Sequence, residues 1–275
     1  MSAPSLHGRR IAITGGGRGI GLATAIALHR RGATVVIGDL DLDSATAAAG
    51  AVGPGTEAYP VDVSDYQSFA TFYKEATATA PLDVLINNAG IMPIGAFLDQ
   101  SAERHRRAVE INVMGCINGM HLALPAMVER GAGQIINVAS SAGKAPVPGG
   151  LTYCGTKAAV IALTETARVE YAGTGVEFTC VMPSFTNTEL IAGTAGLKFI
   201  PTAQPDDVAE AIAAAIARPA ADVFVPKIIG PILRSQPLIG RRLRDLVNRR
   251  LGAYRTFLDF DPTARAEYQH RIDES

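Results

Sequence analysis

Residues 11–21 read Ile-Ala-Ile-Thr-Gly-Gly-Gly-Arg-Gly-Ile-Gly, a short apolar run that ends in a cluster of glycines. The next segment, Leu22 to Arg31, has helical character. A strand, a glycine turn and a helix form the setting that a dinucleotide pyrophosphate requires, because glycines let the backbone approach the phosphates and the helix N-terminus offers unpaired N–H groups. The spacing Gly15-x-x-x-Gly19-x-Gly21 differs from the commoner G-x-G-x-x-G, so an ordinary glycine-rich turn is the alternative.

Apolar runs alternate with helical patterns along the rest of the chain. Strands are predicted at residues 34–38, 57–61, 84–86, 134–138, 176–181 and 222–225. Helices are predicted at residues 42–51, from Tyr66, at 103–129, around 153–157 and at 204–217, the last with Asp206 as a candidate cap. This alternation predicts an α/β fold with a Rossmann-type, doubly wound, parallel seven-stranded sheet. Residues 1–230 are expected to form one dinucleotide-binding and catalytic domain, and residues 231–275 a helical extension that is not an independent domain.

Composition limits the classes of function. The chain has 275 residues, 48% of them hydrophobic, which is enough for one large α/β domain. Its net charge of −1 gives no indication of a nucleic-acid partner. The three cysteines show neither paired nor metal-type spacing, and we interpret them as reduced core thiols. We find no metal-ligand cluster, no apolar signal segment at the N-terminus and no apolar run of about 18 residues, and we expect a cytoplasmic protein.

Asp39 follows the second predicted strand and bears on the choice of cofactor. A carboxylate at this position can accept hydrogen bonds from the adenosine ribose diol, and it repels a 2′-phosphate. Arg18, in the glycine loop, is the basic residue that argues the other way unless it is a solvated loop arginine that only borders the phosphates. The sequence therefore favours NAD over NADP.

Polar residues also follow or interrupt other elements. Asp62 lies at the end of the third strand, where it can bond an adenine amino group, whereas Ser64 and Asp65 are placed to cap the next helix. The turn 87–90, Asn-Asn-Ala-Gly, has small residues that allow a cofactor to approach. Asn112 has a buried setting within a helix, and a buried amide must find hydrogen-bond partners. It is either satisfied by neighbouring backbone, or it holds a water or bends the helix near the site.

Tyr153 and Lys157 are four residues apart, which places both side chains on one face of a helix. A phenol has a pKa of about 10, and a nearby ammonium lowers that pKa. The pair can therefore transfer a proton at a carbonyl or an alcohol, although a solvated surface pair has the same spacing. Ser140 follows the fifth strand, where its hydroxyl can donate to a substrate oxygen or cap a turn.

Together these residues resemble the short-chain dehydrogenase/reductase family over roughly residues 6 to 226. The motifs that carry the resemblance are Thr14-Gly15-x-x-x-Gly19-x-Gly21, Asn87-Asn88-Ala89-Gly90, Asn112, Ser140 and Tyr153-x-x-x-Lys157. The resemblance implies that Tyr153 is the general acid/base and that Lys157 bonds the nicotinamide ribose and lowers the tyrosine pKa. It also implies that Ser140 polarises the substrate oxygen and that Asn112 holds a water in a proton relay.

The resemblance also implies a cofactor site. Its predicted residues are Gly15, Arg18, Gly19, Ile20, Gly21, Asp39, Asp62, Val63, Asn88, Ala89, Gly90, Tyr153, Lys157, Pro183 and Thr188. Asp62 and Val63 are expected at the adenine, and Thr188 at the nicotinamide carboxamide. The family usually has Pro-Gly after the sixth strand, whereas this chain has Pro183-Ser184. Family members are commonly dimers or tetramers, so a homodimer or homotetramer is expected.

The last 45 residues or so contain a basic amphipathic pattern. The residues that share its apolar face are Ile239, Leu243, Leu246, Val247 and Leu251, with arginines around the remainder. This segment, residues 239–251, can dock on an anionic membrane surface, pack against another subunit or its own domain, or cover its own substrate pocket.

These observations predict an oxidoreductase that interconverts an alcohol and its ketone or aldehyde with NAD, or less favourably NADP. The loops at residues 91–94 and 146–148, and Phe185 with residues 191–200, are mostly apolar, which favours a steroid, retinoid, terpenoid or lipid-derived substrate over a sugar or an acyl-carrier-bound substrate. Two alternatives remain: epimerase or dehydratase chemistry on the same scaffold, and a non-catalytic nucleotide-binding protein that docks through its basic C-terminal helix.

Overall fold

A computed structural model describes residues 5–196, 201–235, 238, 240–250 and 254–274. Seven strands form one parallel sheet: β1 (Arg10–Thr14), β2 (Thr34–Asp39), β3 (Glu57–Pro60), β4 (Val84–Asn87), β5 (Gly133–Val138), β6 (Val176–Pro183) and β7 (Asp222–Val225). Their order is β3-β2-β1-β4-β5-β6-β7, so the direction of winding reverses between β1 and β4. The predicted doubly wound, seven-stranded fold is confirmed, and ligands of such sheets bind beyond the carboxyl ends of the strands at this reversal.

Helices cover both faces of the sheet. They are α1 (Gly19–His29), α2 (Leu42–Val52), α3 (Tyr66–Ala76), α4 (Ala102–Val109), α5 (Gly115–Arg130), α6 (Leu151–Glu170), α7 (Pro205–Ala217), α8 (Ile229–Ser235), α9 (Arg241–Arg250) and α10 (Pro262–Glu274). A π-helical turn, Glu110–Met114, joins α4 to α5. The helical C-terminal extension is therefore present.

The alternation of side chains along β1 shows how the core is divided. Ile11 and Ile13 are buried on the face that α1, α2 and α7 cover. Ala12 points to the other face, where it belongs to a cluster with Phe69 of α3 and Leu124 of α5. Because both faces of the sheet are buried, the central strands are continuous apolar runs, which is what made them recognisable in the sequence.

Of two helix caps considered in the sequence, the structure contains one and replaces the other. Asp65 caps α3 by accepting hydrogen bonds from the amides of Gln67 and Ser68 at 2.7 and 3.0 Å. The prediction that Asp206 caps α7 is wrong: the N-cap is Gln204, and Asp207 accepts a hydrogen bond from its amide at 2.8 Å. Pro205 fixes the start of the helix, so Asp206 lies inside the first turn.

The described thiols and the longest helix both belong to the core. All three cysteines are free, Cys116 and Cys180 are buried, and Cys154 is half-buried. The continuous helix of residues 102–130 is long and apolar enough to cross a membrane by length and composition alone. However, 56% of its most apolar stretch is buried inside the fold, as expected for a helix that packs on a sheet.

Candidate active site

A cavity of about 900 Å³ opens at the carboxyl ends of the strands. The predicted site residues that line it are Gly15, Arg18, Gly19, Ile20, Asp39, Asp62, Val63, Asn88, Ala89, Gly90, Ser140, Tyr153, Lys157, Pro183 and Thr188. Gly21 and Asn112 do not line the cavity but support residues that do. The structure therefore brings the predicted residues together, while their individual roles stay predictions.

The glycine loop between β1 and α1 forms one wall. Gly15 and Gly19 have φ angles of +63° and +50°, which side-chain-bearing residues rarely adopt. A Cβ atom on Gly21 would lie 2.1 Å from the Gly15 carbonyl oxygen, so the start of α1 touches the turn directly. Thr188 approaches from the opposite side, because its Cγ2 would lie 3.3 Å from a Cβ atom on Gly19. Gly15, Gly19 and Thr188 all line the cavity, so this wall is suited to hold a pyrophosphate.

We expect Gly21→Ala to abolish detectable binding of nicotinamide dinucleotides and to lower the melting temperature. The added methyl group collides with backbone atoms of the turn, which cannot move without displacing the loop. Isothermal titration with each cofactor and thermal unfolding measure both effects. Gly50→Ala in α2 is the matched control, since a Cβ atom there meets nothing within 4 Å. Wild-type cofactor affinity in Gly21→Ala would contradict this packing argument.

Asn88 holds the glycine loop to the turn after β4. Its side-chain amide donates to the carbonyls of Thr14 and Gly15 at 3.0 and 2.9 Å. In return, the Thr14 hydroxyl accepts hydrogen bonds from the amides of Asn88 and Ala89 at 3.1 and 3.2 Å. The side chain of Asn88 is therefore committed to the protein, and it shapes the cofactor wall by fixing the backbone.

The two residues that bear on cofactor choice, Asp39 and Arg18, each have hydrogen-bond partners within the protein. The Asp39 carboxylate accepts hydrogen bonds from the amides of Gly17 and Asp41 at 2.9 and 3.2 Å. Arg18 instead bonds Asp41 and Ser44, both at 2.5 Å. Hydrogen bonds from Ser44, together with the Arg18 charge, lower the pKa of Asp41. Arg18 is thus engaged with the N-terminus of α2, while Asp39 faces the cavity.

Asp62 occupies the predicted position at the adenine side. It accepts hydrogen bonds from the amide and the hydroxyl of Ser64 at 2.9 and 2.6 Å, and Arg107 lies 3.4 Å from its other oxygen. Burial would raise the pKa of Asp62, but the bonds from Ser64 and the charge of Arg107 outweigh it and lower the pKa. Arg107 also lines the cavity, and nothing in the sequence singled it out within its helix.

Helix α6 presents Tyr153 and Lys157 to the cavity floor. Their exposed fractions are only 6% and 5%. The Lys157 Nζ donates to the Val138 carbonyl at 2.9 Å and lies 5.9 Å from the centre of the Tyr153 ring. The Ser140 hydroxyl lies near enough to the Tyr153 side chain to lower its pKa, accepts from the Ala142 amide at 3.1 Å and donates to the Pro183 carbonyl at 3.5 Å. The Tyr153 phenol, the Ser140 hydroxyl and the Lys157 ammonium thus line the same part of the cavity.

The expected direction of the Tyr153 pKa shift is wrong for this structure. Burial raises the pKa of Tyr153 well above its ordinary value of 10.0, and the hydrogen bond from Ser140 opposes this only in part. Burial likewise lowers the pKa of Lys157. Spacing on a helix shows that the two side chains share a face, but it does not reveal that both are removed from water. At neutral pH Tyr153 is a neutral phenol, a proton donor.

Asn112 lies in the π-helical turn between α4 and α5. Its Oδ1 accepts from the Ile91 amide at 2.8 Å, and its Nδ2 donates to the Ile91 carbonyl and the Thr156 hydroxyl at 2.9 and 3.0 Å. π-Turns are frequent at functional sites, where they change the direction of a helix. The amide connects the loop after β4 to α6, next to Tyr153, and so positions the catalytic helix; a role in a water relay stays a prediction.

The C-terminal segment forms a wall that the sequence did not identify. The residues from α8 and beyond that line the cavity are Ile229, Ile232, Leu233, Phe257, Tyr268, Arg271 and Ile272. The sequence predicted that residues 239–251 could cover the pocket, whereas the described residues of the C-terminal segment that line it belong to α8 and to residues 257–272. Ile239 and Leu251 of the predicted apolar face lie outside the described residues.

A buried arginine fixes this wall to the substrate loops. Arg265 of α10 is 1% exposed and donates to the carbonyls of Met92, Leu190 and Ala192 at 2.6, 2.6 and 3.3 Å. Tyr268, one turn later, accepts a hydrogen bond from the Met92 amide at 2.8 Å. α10 therefore joins the loop after β4 to the loop after β6 and closes the cavity between them.

Comparison with known proteins agrees with this geometry. A family model described as short chain dehydrogenase matches residues 9–195. The ketoacyl reductase HetN of Nostoc sp. is 33% identical over 228 residues, which cover 80% of this chain and 79% of that protein. A sorbitol dehydrogenase of Cereibacter sphaeroides is 36% identical over 186 residues, covering 67% and 73%. The probable oxidoreductase EphD of Mycobacterium tuberculosis is 37% identical over 189 residues, 67% of this chain but 32% of that protein, so this chain spans about a third of its length.

A solved structure also matches along most of its length. The 3-ketoacyl-(acyl-carrier-protein) reductase from Brucella melitensis, complexed with NADH, has a TM-score of 0.73 and 28% identity, covering 80% of this chain and 98% of that one. The glycine loop, the Ser140, Tyr153 and Lys157 cluster and these matches lead to one conclusion: the chain belongs to the short-chain dehydrogenase family of nicotinamide-dependent oxidoreductases.

Proposed function

We propose that this protein interconverts an apolar alcohol and its carbonyl compound with NAD as the preferred cofactor. The observation that carries the proposal is that the Ser140 hydroxyl, the buried Tyr153 phenol and the Lys157 side chain line the same cavity, with the Lys157 Nζ 5.9 Å from the centre of the Tyr153 ring. This cluster shares a cavity with the glycine loop, so a substrate oxygen and a dinucleotide can occupy it together.

The proposed division of the chemistry is that the cofactor carries the hydride, while the side chains of the site bind the reactants and transfer the proton. A nicotinamide dinucleotide supplies or accepts the hydride when it is bound, and the glycine loop and Asp39 are suited to hold its pyrophosphate and ribose. In the reductive direction Tyr153 donates its phenolic proton to the carbonyl oxygen, and in the oxidative direction it takes that proton back. Ser140 donates a hydrogen bond to the developing oxyanion, and one positioned donor contributes about 3 kcal/mol.

The walls around this cluster support an apolar substrate. The side chains opposite Tyr153 include Met92, Val147, Phe185, Leu190 and Phe257. Arg271 and Glu189 also line the cavity, and their side chains form an ion pair with each other. The relatives named above act, by name, on ketoacyl compounds and on sorbitol; the apolar wall favours a lipid-derived or alicyclic ketone over a polyol.

The partners of the two residues that bear on cofactor choice support the preference for NAD: Arg18 is bonded to Asp41 and Ser44, and the Asp39 carboxylate places its negative charge at the cavity. Asp39→Asn keeps an acceptor for the Gly17 amide but removes the charge that repels a 2′-phosphate. We expect the ratio of kcat/KM with NAD to that with NADP to fall about tenfold or more, since a charged hydrogen bond is stronger than a neutral one by about 1–2 kcal/mol. Asp43→Asn, on the exposed first turn of α2, is the control and should leave the ratio unchanged. A wild-type preference for NADP would show the carboxylate argument to be wrong.

The function itself is tested by a screen of ketones and alcohols with both cofactors, followed through the absorbance of the reduced nicotinamide. We expect turnover of alicyclic or lipid-derived ketones and little turnover of sugars. Conversion of substrate without net change in the cofactor would indicate epimerase or dehydratase chemistry instead. Tight cofactor binding without turnover of any compound would favour a nucleotide-binding role.

A further inference from the structure

The segment from residue 227 to residue 250 differs in charge from the rest of the molecule. It contains seven basic residues and one acidic residue, a net charge of +6, in a chain whose net charge is −1. The remainder of the chain therefore carries −7. We call the described part of this segment, residues 227–235, 238 and 240–250, the basic surface.

Large apolar side chains on the basic surface are exposed. Ile228, which directly precedes α8, and Ile232 of α8 are 66% and 46% exposed, Leu238 is 89% exposed, and Leu246 of α9 is 47% exposed. Arg241, Arg242, Arg249 and Arg250 are exposed in the same segment. Apolar side chains among exposed cations are the pattern of a helix that lies in a lipid interface.

Two other occupants fit the basic surface less well. A two-fold contact between identical copies places the same surface on both subunits, so the exposed arginines of one copy would face those of the other. Nucleic acids bind positive surfaces, but their interfaces are more polar than a patch that exposes four isoleucine and leucine side chains. An anionic bilayer satisfies both features, because its headgroups attract the arginines and its acyl boundary accepts the apolar side chains.

The inner side of α8 leads from this surface to the cavity. Ile229 and Leu233 are buried and line the cavity wall, and Ile232 lines it while being partly exposed. We infer that the basic surface docks the protein on an anionic lipid membrane, with Ile232 between the bilayer and the cavity. The proposed function expects a substrate that partitions into lipid. Docking on the membrane would place the cavity next to the bilayer in which that substrate is dissolved.

Vesicle co-sedimentation with the full-length chain tests this inference without any turnover. We expect the wild type to bind vesicles of phosphatidylcholine with phosphatidylserine, to release them at high salt and to ignore pure phosphatidylcholine. Arg241→Ala with Arg242→Ala should weaken binding about 25-fold, since each basic residue near an anionic membrane contributes about fivefold. Leu238→Glu should weaken it about tenfold or more, because a leucine side chain then no longer leaves water.

Matched controls lie at the ends of helices that lead into the amino ends of the strands, away from the cavity. Val169→Glu changes a side chain that is 60% exposed near the end of α6. Arg30→Ala with Lys74→Ala removes two charges at the ends of α1 and α3. These variants should bind vesicles like the wild type. Absence of wild-type binding at low salt, or equal losses in the controls, overturns the inference. Dissociation of an oligomer by Leu238→Glu without any vesicle binding overturns it too, and assigns the surface to a subunit contact.

Discussion

Tyr153→Phe is expected to lower kcat about 10²- to 10⁴-fold, the usual contribution of a positioned general acid or base. The substitution removes one oxygen atom and leaves the ring, so the packing of Met92 and Phe257 around it should persist. Cofactor affinity should change little, because the glycine loop and Asp39 do not contact the phenolic oxygen. Steady-state kinetics and cofactor titration of the same preparation separate the two effects.

A tyrosine at the end of the same helix provides the control. Tyr171→Phe removes the same atom from the residue that ends α6, away from the cavity lining, and should leave kcat unchanged. Ser140→Ala should also lower kcat, by about 10²- to 10³-fold, because it removes the donor to the oxyanion. Turnover of Tyr153→Phe within a factor of about ten of the wild type would exclude the phenol as the proton donor that general acid catalysis requires.

The raised pKa of Tyr153 determines how the two directions depend on pH. Reduction needs the protonated phenol, so its rate should be flat through neutral pH and fall only as the pH rises towards the pKa of Tyr153. Oxidation needs the phenolate, so its rate should climb with pH over the alkaline range. The positive charge of an oxidised nicotinamide near the phenol shifts the oxidative profile to lower pH. Both dependences should disappear in the residual activity of Tyr153→Phe.

The fold and the catalytic cluster could be predicted from the sequence because they depend on local patterns. Central strands such as β1 are buried on both faces and appear as unbroken apolar runs, and the spacing of Tyr153 and Lys157 places them on one side of α6. The pKa of Tyr153 could not be predicted, since the burial of the phenol depends on the loops and on α10 that close over it. The spacing of two residues on a helix shows that their side chains are close together, but it does not show whether those side chains are exposed to solvent.

The C-terminal wall could not be predicted for a different reason. Arg265 lies 173 residues from Met92, one of its acceptors, and a charged residue in a polar helix is typical of an exposed face. The sequence of α10, with five charged residues among its 13, gives no apolar stripe to indicate docking. The contact becomes recognisable only when the two loops that carry the acceptor carbonyls are placed side by side by the sheet.

That buried arginine is the second position where a large effect is expected. Arg265→Met preserves the length and most of the volume of the side chain but removes the donors to the Met92, Leu190 and Ala192 carbonyls. Hydrogen bonds from a charged donor contribute about 1.5–3 kcal/mol each. Removal of the cation also relieves the desolvation that lowers the pKa of Arg265, so we expect a net loss of about 2–4 kcal/mol.

The functional consequence of Arg265→Met should fall on substrate binding. Without the arginine, α10 no longer holds the loops after β4 and β6 together, and the apolar wall opens to water. We expect KM for an apolar ketone to rise about tenfold or more, since about 1.4 kcal/mol of lost binding is enough for that change. kcat should fall less, because Ser140, Tyr153 and Lys157 are held by β5 and α6.

Two further variants distinguish a positioning role from general loss of stability. Arg255→Met makes the same substitution at an exposed residue that pairs with Asp259, four residues later, and should leave KM and proteolytic sensitivity unchanged. Arg265→Lys keeps the charge but lacks the planar fork that reaches several carbonyls, so it should recover only part of the wild-type KM. Limited proteolysis should cleave Arg265→Met within residues 254–274 before the rest of the domain. A variant that melts earlier with an unchanged KM would show that α10 stabilises the fold without shaping the substrate site.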